Sequence, residues 1–405
     1  MKFRILSLDG GGIRGVVSAT ILKEIEEVVK EKENGKALHE YFDLIAGTST
    51  GSILAAGIAC QKNAEEMVQL YEKRGKDIFL KQVRQKRKAT LNPLKIGSFK
   101  PITFGLQVLK SYALYPHESK NQGLANVLKQ ELKHKKLEKC PQIGEIKETQ
   151  LLILAYDVLS RNTTWFANDD PTEWYYDTEI WKICTASASA PTFFPPYKLP
   201  YSKDIILPHI DGGVAANNPE LAAIAHALSM KTDNSNPKIE EIAVLSIGTG
   251  KTTSPYKYEE VKKWGLLNWA TKIPDIFLDP GAENANYITQ RIFLGMERKN
   301  YLRLNFDLNE LSTSDKQPGK RRKSQDNSYN KYIEKAKQQQ KHISEKIDDS
   351  NICPDLIEAA ECYLDCGEVE YGSQREIIPV RSAIRQFIDS HPVEDRSYSP
   401  LGLAE

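Results

Sequence analysis

The chain has 405 residues and a net charge of +1 at pH 7, with 40% hydrophobic and 27% charged residues. This length is enough for a large buried core and for two or three domains, and the composition is that of a soluble globular protein, not a disordered or fibrous one. Near-zero net charge supplies no global field to draw in nucleic acid, and no apolar run is long enough to span a bilayer.

Residues 3–8 read as a buried strand that starts almost at the N-terminus, with no signal-peptide apolar region, so a cytoplasmic protein is expected. A glycine-rich turn follows, Asp9-Gly10-Gly11-Gly12-Ile13-Arg14-Gly15. Val17, Ile21, Ile25 and Val28 then form one helical stripe, which Asn34-Gly35 ends. A second short strand, residues 42–46, runs into Gly47-Thr48-Ser49-Thr50-Gly51 and a segment that is apolar nearly all round, which predicts a buried helix.

Residues 76–122 lose clear periodicity. Cations cluster at Lys81, Arg84, Lys86, Arg87 and Lys88, and apolar and aromatic residues follow from Phe99 to Tyr115. This stretch reads either as a substrate-facing cap or as an irregular surface subdomain. In the cap reading its cations meet an anionic lipid surface. Residues 151–158 and 242–248 are further strands. Strands alternating with helices at this spacing predict an α/β fold with a mainly parallel, helix-covered sheet. Residues 311–330 are polar and carry the run Lys320-Arg321-Arg322-Lys323, which reads as an insert or linker. Residues 331–405 are expected to form a helical C-terminal extension packed on the preceding domain, with apolar stripes at Ile352, Leu356, Ile357, Ala360, Tyr363 and Leu364 and again at Val380, Ile384, Phe387 and Ile388.

The two glycine-rich turns carry the chemistry. Gly47 to Gly51 is G-x-S-x-G, the strand–turn–helix element that exposes a nucleophilic serine. Alone it is weak evidence, expected by chance in roughly one chain of this length in ten. Asp9 to Gly15 fixes more positions and presents backbone N–H groups at a helix start, which suits an anion or an oxyanion. Gly10, Gly12 and Gly15 also spell G-x-G-x-x-G. The acidic residue of a dinucleotide site should end a second strand about 20 residues on, whereas Glu27, Glu31 and Glu33 lie in the helix that follows directly. A non-enzymatic nucleotide or phosphate binder is the rival this leaves.

Serine needs a base. Of the seven histidines, His209 alone sits at an apolar strand end, in Leu207-Pro208-His209-Ile210-Asp211-Gly212-Gly213. Asp211 is the more suggestive residue there, because the turn before Gly212-Gly213 can aim a carboxylate into a site, although the same pattern also serves as a plain turn former. The six cysteines are scattered, and no H-E-x-x-H, C-x-x-C or EF-hand loop occurs, so neither metal nor cofactor is expected.

On these residues the chain resembles the patatin-like phospholipases. The matching landmarks run in order over roughly residues 3–310: the loop Asp9 to Gly15, the turn Gly47 to Gly51, Ala190 to Pro196, Asp211-Gly212-Gly213, Asn217-Asn218-Pro219 and Leu245 to Gly250. The resemblance implies a three-layer α/β/α catalytic domain over residues 1–310. It implies Ser49 as nucleophile and Asp211 as base without a histidine, and an oxyanion hole at Gly10, Gly11 and Gly12. Gly47, Gly51, Gly212 and Gly213 shape the turns, and Arg14 reads either as added charge near the hole or as a residue that packs or pairs with a nearby carboxylate. It further implies a lipid acyl hydrolase acting peripherally on membrane or dispersed glycerolipids. Some bacterial enzymes of this kind are switched on by a cyclic nucleotide in anti-phage defence, so a small-molecule activator is a second expectation.

Overall fold

A computed structural model describes residues 2–90, 114–230, 236–251, 256–296, 298–309, 343–344, 346–372 and 376–393. The Phe99–Tyr115 run falls outside this set except for its last two residues, and the whole 311–330 insert with its tetrabasic run lies outside it.

Five strands form the parallel part of the sheet: β1 (Phe3–Leu8), β2 (Leu44–Thr48), β3 (Gln150–Asp157), β7 (Ile242–Ile247) and β8 (Tyr301–Leu304). They lie in the order β3-β2-β1-β7-β8. Three antiparallel strands extend the sheet beside β3: β4 (Asn162–Ala167), β5 (Tyr197–Pro200) and β6 (Ile206–Asp211). The central strands are buried along nearly their whole length, as expected where helices cover both faces of a parallel sheet.

Alternation along the strands splits the core in two. Leu6, Leu8, Ile45, Leu151 and Ile153 face one helical layer, made by α1 (Gly15–Lys32), α2 (Thr50–Ala59), α3 (Ala64–Ile78) and their neighbours. Ile5, Leu44, Ala46, Leu152 and Leu154 face the other, where Ala223, Ile224 and Ala227 pack with Phe293. These are the three layers of the expected α/β/α fold. The stripe Val17, Ile21, Ile25, Val28 is buried in the first layer.

The C-terminal region is not wholly helical. Two helices, Cys353–Cys366 and Val380–Ser390, form on the predicted stripes and bury Leu356, Ala360, Ile384, Phe387 and Ile388 against α1. Between them lies an antiparallel pair of β9 (Glu368–Tyr371) and β10 (Glu376–Pro379), and the described residues 343–344 and 346–349 carry no helix. The extension is tied to the first strands by polar bonds as well. Buried Arg4 reaches both Asp43 and the carbonyl of Pro392, and the Tyr41 hydroxyl donates to the His391 carbonyl.

Candidate active site

Sheet register alone brings two side chains together. β4 occupies one edge of β3 along Leu152–Asp157. On the other edge β2 pairs only as far as Thr48 opposite Leu154, and β6 takes over with Asp211 opposite Ala155. The residue after Thr48 therefore meets the last residue of β6 end to end. Ser49 Oγ donates a hydrogen bond to Asp211 Oδ2 at 2.6 Å, and both residues are buried.

Ser49 sits in an uncommon backbone conformation, φ 54° and ψ −122°, between β2 and α2. A non-glycine residue there stores strain, and the surroundings hold it in place. The Ser49 N–H donates to Ser187 Oγ at 2.9 Å, and Ser187 Oγ donates to the Leu154 carbonyl at 2.6 Å. A Cβ on Gly47 would lie 2.3 Å from the Gly51 carbonyl, and one on Gly51 would lie 2.0 Å from the Leu8 carbonyl. Only glycines let the strand turn into the helix this sharply.

Asp211 is held from its other oxygen by the Gly213 N–H, at 2.7 Å. Burial pushes its carboxyl up from 3.8 to about 6, against the Ser49 hydroxyl and the Gly213 amide, which pull it down. His209 lies elsewhere. Its Nε2 is 2.9 Å from Thr164 Oγ1, its ring packs near Phe166 and Trp174, and burial lowers its pKa.

The glycine loop leaves β1 beside this pair. Its three glycines are not equivalent. The Gly10 N–H already donates to the Asn217 carbonyl at 2.9 Å, and the Gly10 carbonyl accepts from Thr249 Oγ1 at 3.0 Å. Gly11 and Gly12 line a cavity together with Ser49 and Asp211. Arg14 is buried in the turn behind the loop and is not among the cavity-lining residues. Asp9, at the loop's start, takes both oxygens to the buried Arg303 guanidinium, one contact at 2.8 Å, and its charge pushes the arginine still further up.

The cavity encloses about 330 Å³. Apart from its Ser49–Asp211 floor it is walled mainly by apolar side chains, among them Ile53, Ile78, Phe79, Leu124, Phe193 and Phe194. That is the mix of apolar wall and few convergent polar groups found at small-molecule sites. Among the described residues there is no cluster of His, Cys, Asp or Glu placed to hold a metal, and no helix is long and apolar enough to cross a membrane.

The basic stretch is not a free cationic surface. Arg84 and Arg87 lie on the helix Lys81–Thr90 and are buried. Arg84 pairs with Asp349, while Arg87 lies 3.8 Å from Asp348, donates to the Thr192 carbonyl and stacks over Phe193. The expectation that these two cations face lipid is corrected: acids some 260 positions away in the chain neutralise them. Lys86 stays exposed.

Two residues at the site carried no readable local signal, namely Ser187 and Ile347, whereas Thr249 fell within the Leu245 to Gly250 landmark. Asn217 was visible as part of a landmark, though its carbonyl's hold on Gly10 was not.

The chain is thus an α/β/α protein of mainly parallel sheet that carries, at the carboxyl edge of that sheet, a serine on a strained strand–helix turn bonded to a carboxylate. Comparison with known proteins narrows this class. The pattern of the family described as patatin-like phospholipase matches residues 6–224, more than half of the chain. Patatin-like protein 4 of Arabidopsis thaliana is 32% identical over 333 residues, 75% of this chain and 76% of that protein. A cGAMP-activated phospholipase of Vibrio cholerae is 32% identical over 253 residues, 61% of this chain and 64% of that protein. The chain belongs to the patatin-like phospholipase family.

Proposed function

We propose that this protein is a lipid acyl hydrolase that cleaves carboxylic esters of glycerolipids through Ser49 and Asp211. The observation that carries the reading is the 2.6 Å bond from Ser49 Oγ to Asp211 Oδ2 on the floor of an apolar cavity. In the proposed mechanism Asp211 takes the hydroxyl proton as Ser49 Oγ bonds to the ester carbonyl carbon. The oxyanion is held by the N–H groups of Gly11 and Gly12, since that of Gly10 is engaged by Asn217. One such donor is typically worth about 2.7–4 kcal/mol to the transition state. The ester C–O bond then breaks, and the leaving alcohol takes the proton back from Asp211. Water attacks the acyl-enzyme, gives its proton to Asp211, and Ser49 departs reprotonated with release of the fatty acid.

Asp211 suits this role because its burial raises its basicity while leaving it mostly ionised at neutral pH. No metal enters the scheme. A cytoplasmic protein that meets lipid aggregates peripherally fits the reading. The test is release of fatty acid from a panel of phospholipids, galactolipids and short-chain nitrophenyl esters, with fluorophosphonate labelling of the wild type and Ser49→Ala. Loss of both release and labelling in the variant supports it; a binder without catalysis would release nothing in either.

A regulated form of the same activity is the second reading, favoured by the relative named a cGAMP-activated phospholipase. Fatty-acid release with and without cyclic nucleotides, cyclic GMP-AMP among them, separates constitutive from ligand-dependent activity.

A further inference from the structure

The cavity has one wall that does not come from the family-matched part of the chain. Ile347, far beyond residues 6–224, lines it together with Ser49 and Asp211. Residues 343–344 and 346–349 run beside the glycine loop as a strap and are fixed at several points. Ile343 exchanges two 3.0 Å hydrogen bonds with the Asn309 side chain. The Ile347 carbonyl accepts from the Ile13 N–H at 2.8 Å. Asp348 accepts from the Tyr115 hydroxyl at 2.9 Å and faces Arg87, and Asp349 pairs with Arg84. The contact with the loop is close: a Cβ on Gly12, which has φ +59°, would lie 2.5 Å from the Ile347 carbonyl and 2.9 Å from the Ile347 Cβ.

We infer that Ile347 is a specificity-determining residue that limits the acyl chain this cavity accepts. The argument rests on the hydrolase reading above. With about 330 Å³, the cavity is at the lower end of the roughly 300–1,000 Å³ typical of ligand pockets. Wall side chains in a cavity of this size compete with the terminal methylenes of a long acyl chain. Most of the other apolar walls are set in the helical layer and its adjoining core. Ile347 is only half-buried and stands on a segment without secondary structure, so its size can change without repacking that core. Its backbone, bonded to the loop that holds the proposed oxyanion donors, keeps the side chain at a fixed place relative to Ser49. Asp348 and Asp349 act as positioning residues for it through Arg87, Tyr115 and Arg84.

The experiment measures kcat/KM on nitrophenyl acetate, butyrate, octanoate, laurate and palmitate for the full-length wild type, Ile347→Ala, Ile347→Val and Ile347→Phe. Removing wall volume should raise the palmitate-to-butyrate ratio in Ile347→Ala by roughly tenfold, the low end of what a methylene-sized change in an apolar pocket gives. Ile347→Val should move the ratio the same way by less, and Ile347→Phe should lower it. Acetate, too short to reach this wall, should change by a smaller factor than palmitate in Ile347→Ala and Ile347→Val. Asp348→Asn combined with Asp349→Asn should broaden the chain-length profile as Ile347→Ala does, if the strap is held as described. An unchanged profile in all Ile347 variants overturns the inference while leaving the hydrolase reading intact. So does a fall of equal factor on every ester, which would make the strap a support for the glycine loop. A wild type that turns over none of the esters fails the hydrolase reading instead.

Discussion

Two strands of the same sheet run into the same three-residue sequence. β1 is followed by Asp9-Gly10-Gly11, and β6 closes on Asp211-Gly212-Gly213. Both carboxylates are buried, yet their partners differ in kind. Asp9 meets a guanidinium, Arg303, with both oxygens. Asp211 meets only a hydroxyl and an amide. A cation sits against the first and makes it the structural counter-ion of Arg303. Burial raises both carboxyls from 3.8 to about 6, against the guanidinium at Asp9 and against only the hydroxyl and the amide at Asp211, so what separates them is the partner: a fixed cation in one case, a hydroxyl that carries a proton in the other. Local sequence cannot separate these roles; the partner across the fold does.

The largest expected effect comes from the proposed dyad. Ser49→Ala and Asp211→Asn should each lower ester turnover by about 10⁴-fold, the scale seen when a triad residue is disabled, while circular dichroism shows an intact fold. His209→Ala, in contrast, should retain most activity, because its ring is engaged by Thr164. Full activity in Asp211→Asn with loss in His209→Ala would reverse the assignment.

Stability should split the two aspartates the other way. Asp9→Asn leaves a buried Arg303 unneutralised, which typically costs about 3–5 kcal/mol. Asp211→Asn removes a carboxyl whose folded-state pKa, about 6, is above its unfolded value of 3.8. Such a group favours the native state when protonated, and its stabilisation is lost as pH rises from about 4 through 6. Denaturant melts across that window should show the wild type losing stability relative to Asp211→Asn. A larger penalty in Asp211→Asn than in Asp9→Asn would break the comparison.

The same titration sets the activity profile. In the proposed mechanism Asp211 acts as a base only when ionised, so kcat/KM on a soluble ester should fall below about pH 6 with a single acid limb. An acid limb near 4 would mean that the base is a solvated carboxylate.

The smallest effect expected concerns the basic helix. Arg84→Gln with Arg87→Gln removes two cations paired with Asp348 and Asp349, so soluble-ester and vesicle hydrolysis should fall by a similar, modest factor, with a lower melting temperature. A selective loss on anionic vesicles would return these arginines to a lipid-facing role.

The sequence by itself determined the elements whose cause is local. The apolar run into Gly47-x-Ser49-x-Gly51 makes a strand–turn–helix because no bulkier residue fits against the Gly51 and Leu8 carbonyls. The stripe on α1 and the stripes at 352–364 and 380–388 are helical periods that any buried face requires. Asp211 was legible as a strand-end carboxylate, though not as distinct from Asp9. Tertiary structure decided everything that depended on residues far apart in the chain. The register of β2 and β6 on one edge of β3 placed Ser49 against Asp211 across 162 positions. Asn217 took the Gly10 amide out of the loop's free donors. Arg84 and Arg87, which read as a lipid-facing patch, were turned inward by two acids of the C-terminal strap, and the strap carried Ile347 into the cavity wall. Periodicity and turn chemistry reach only a few residues along the chain, whereas charge neutralisation and cavity shape are set by whichever segments the packed core brings together.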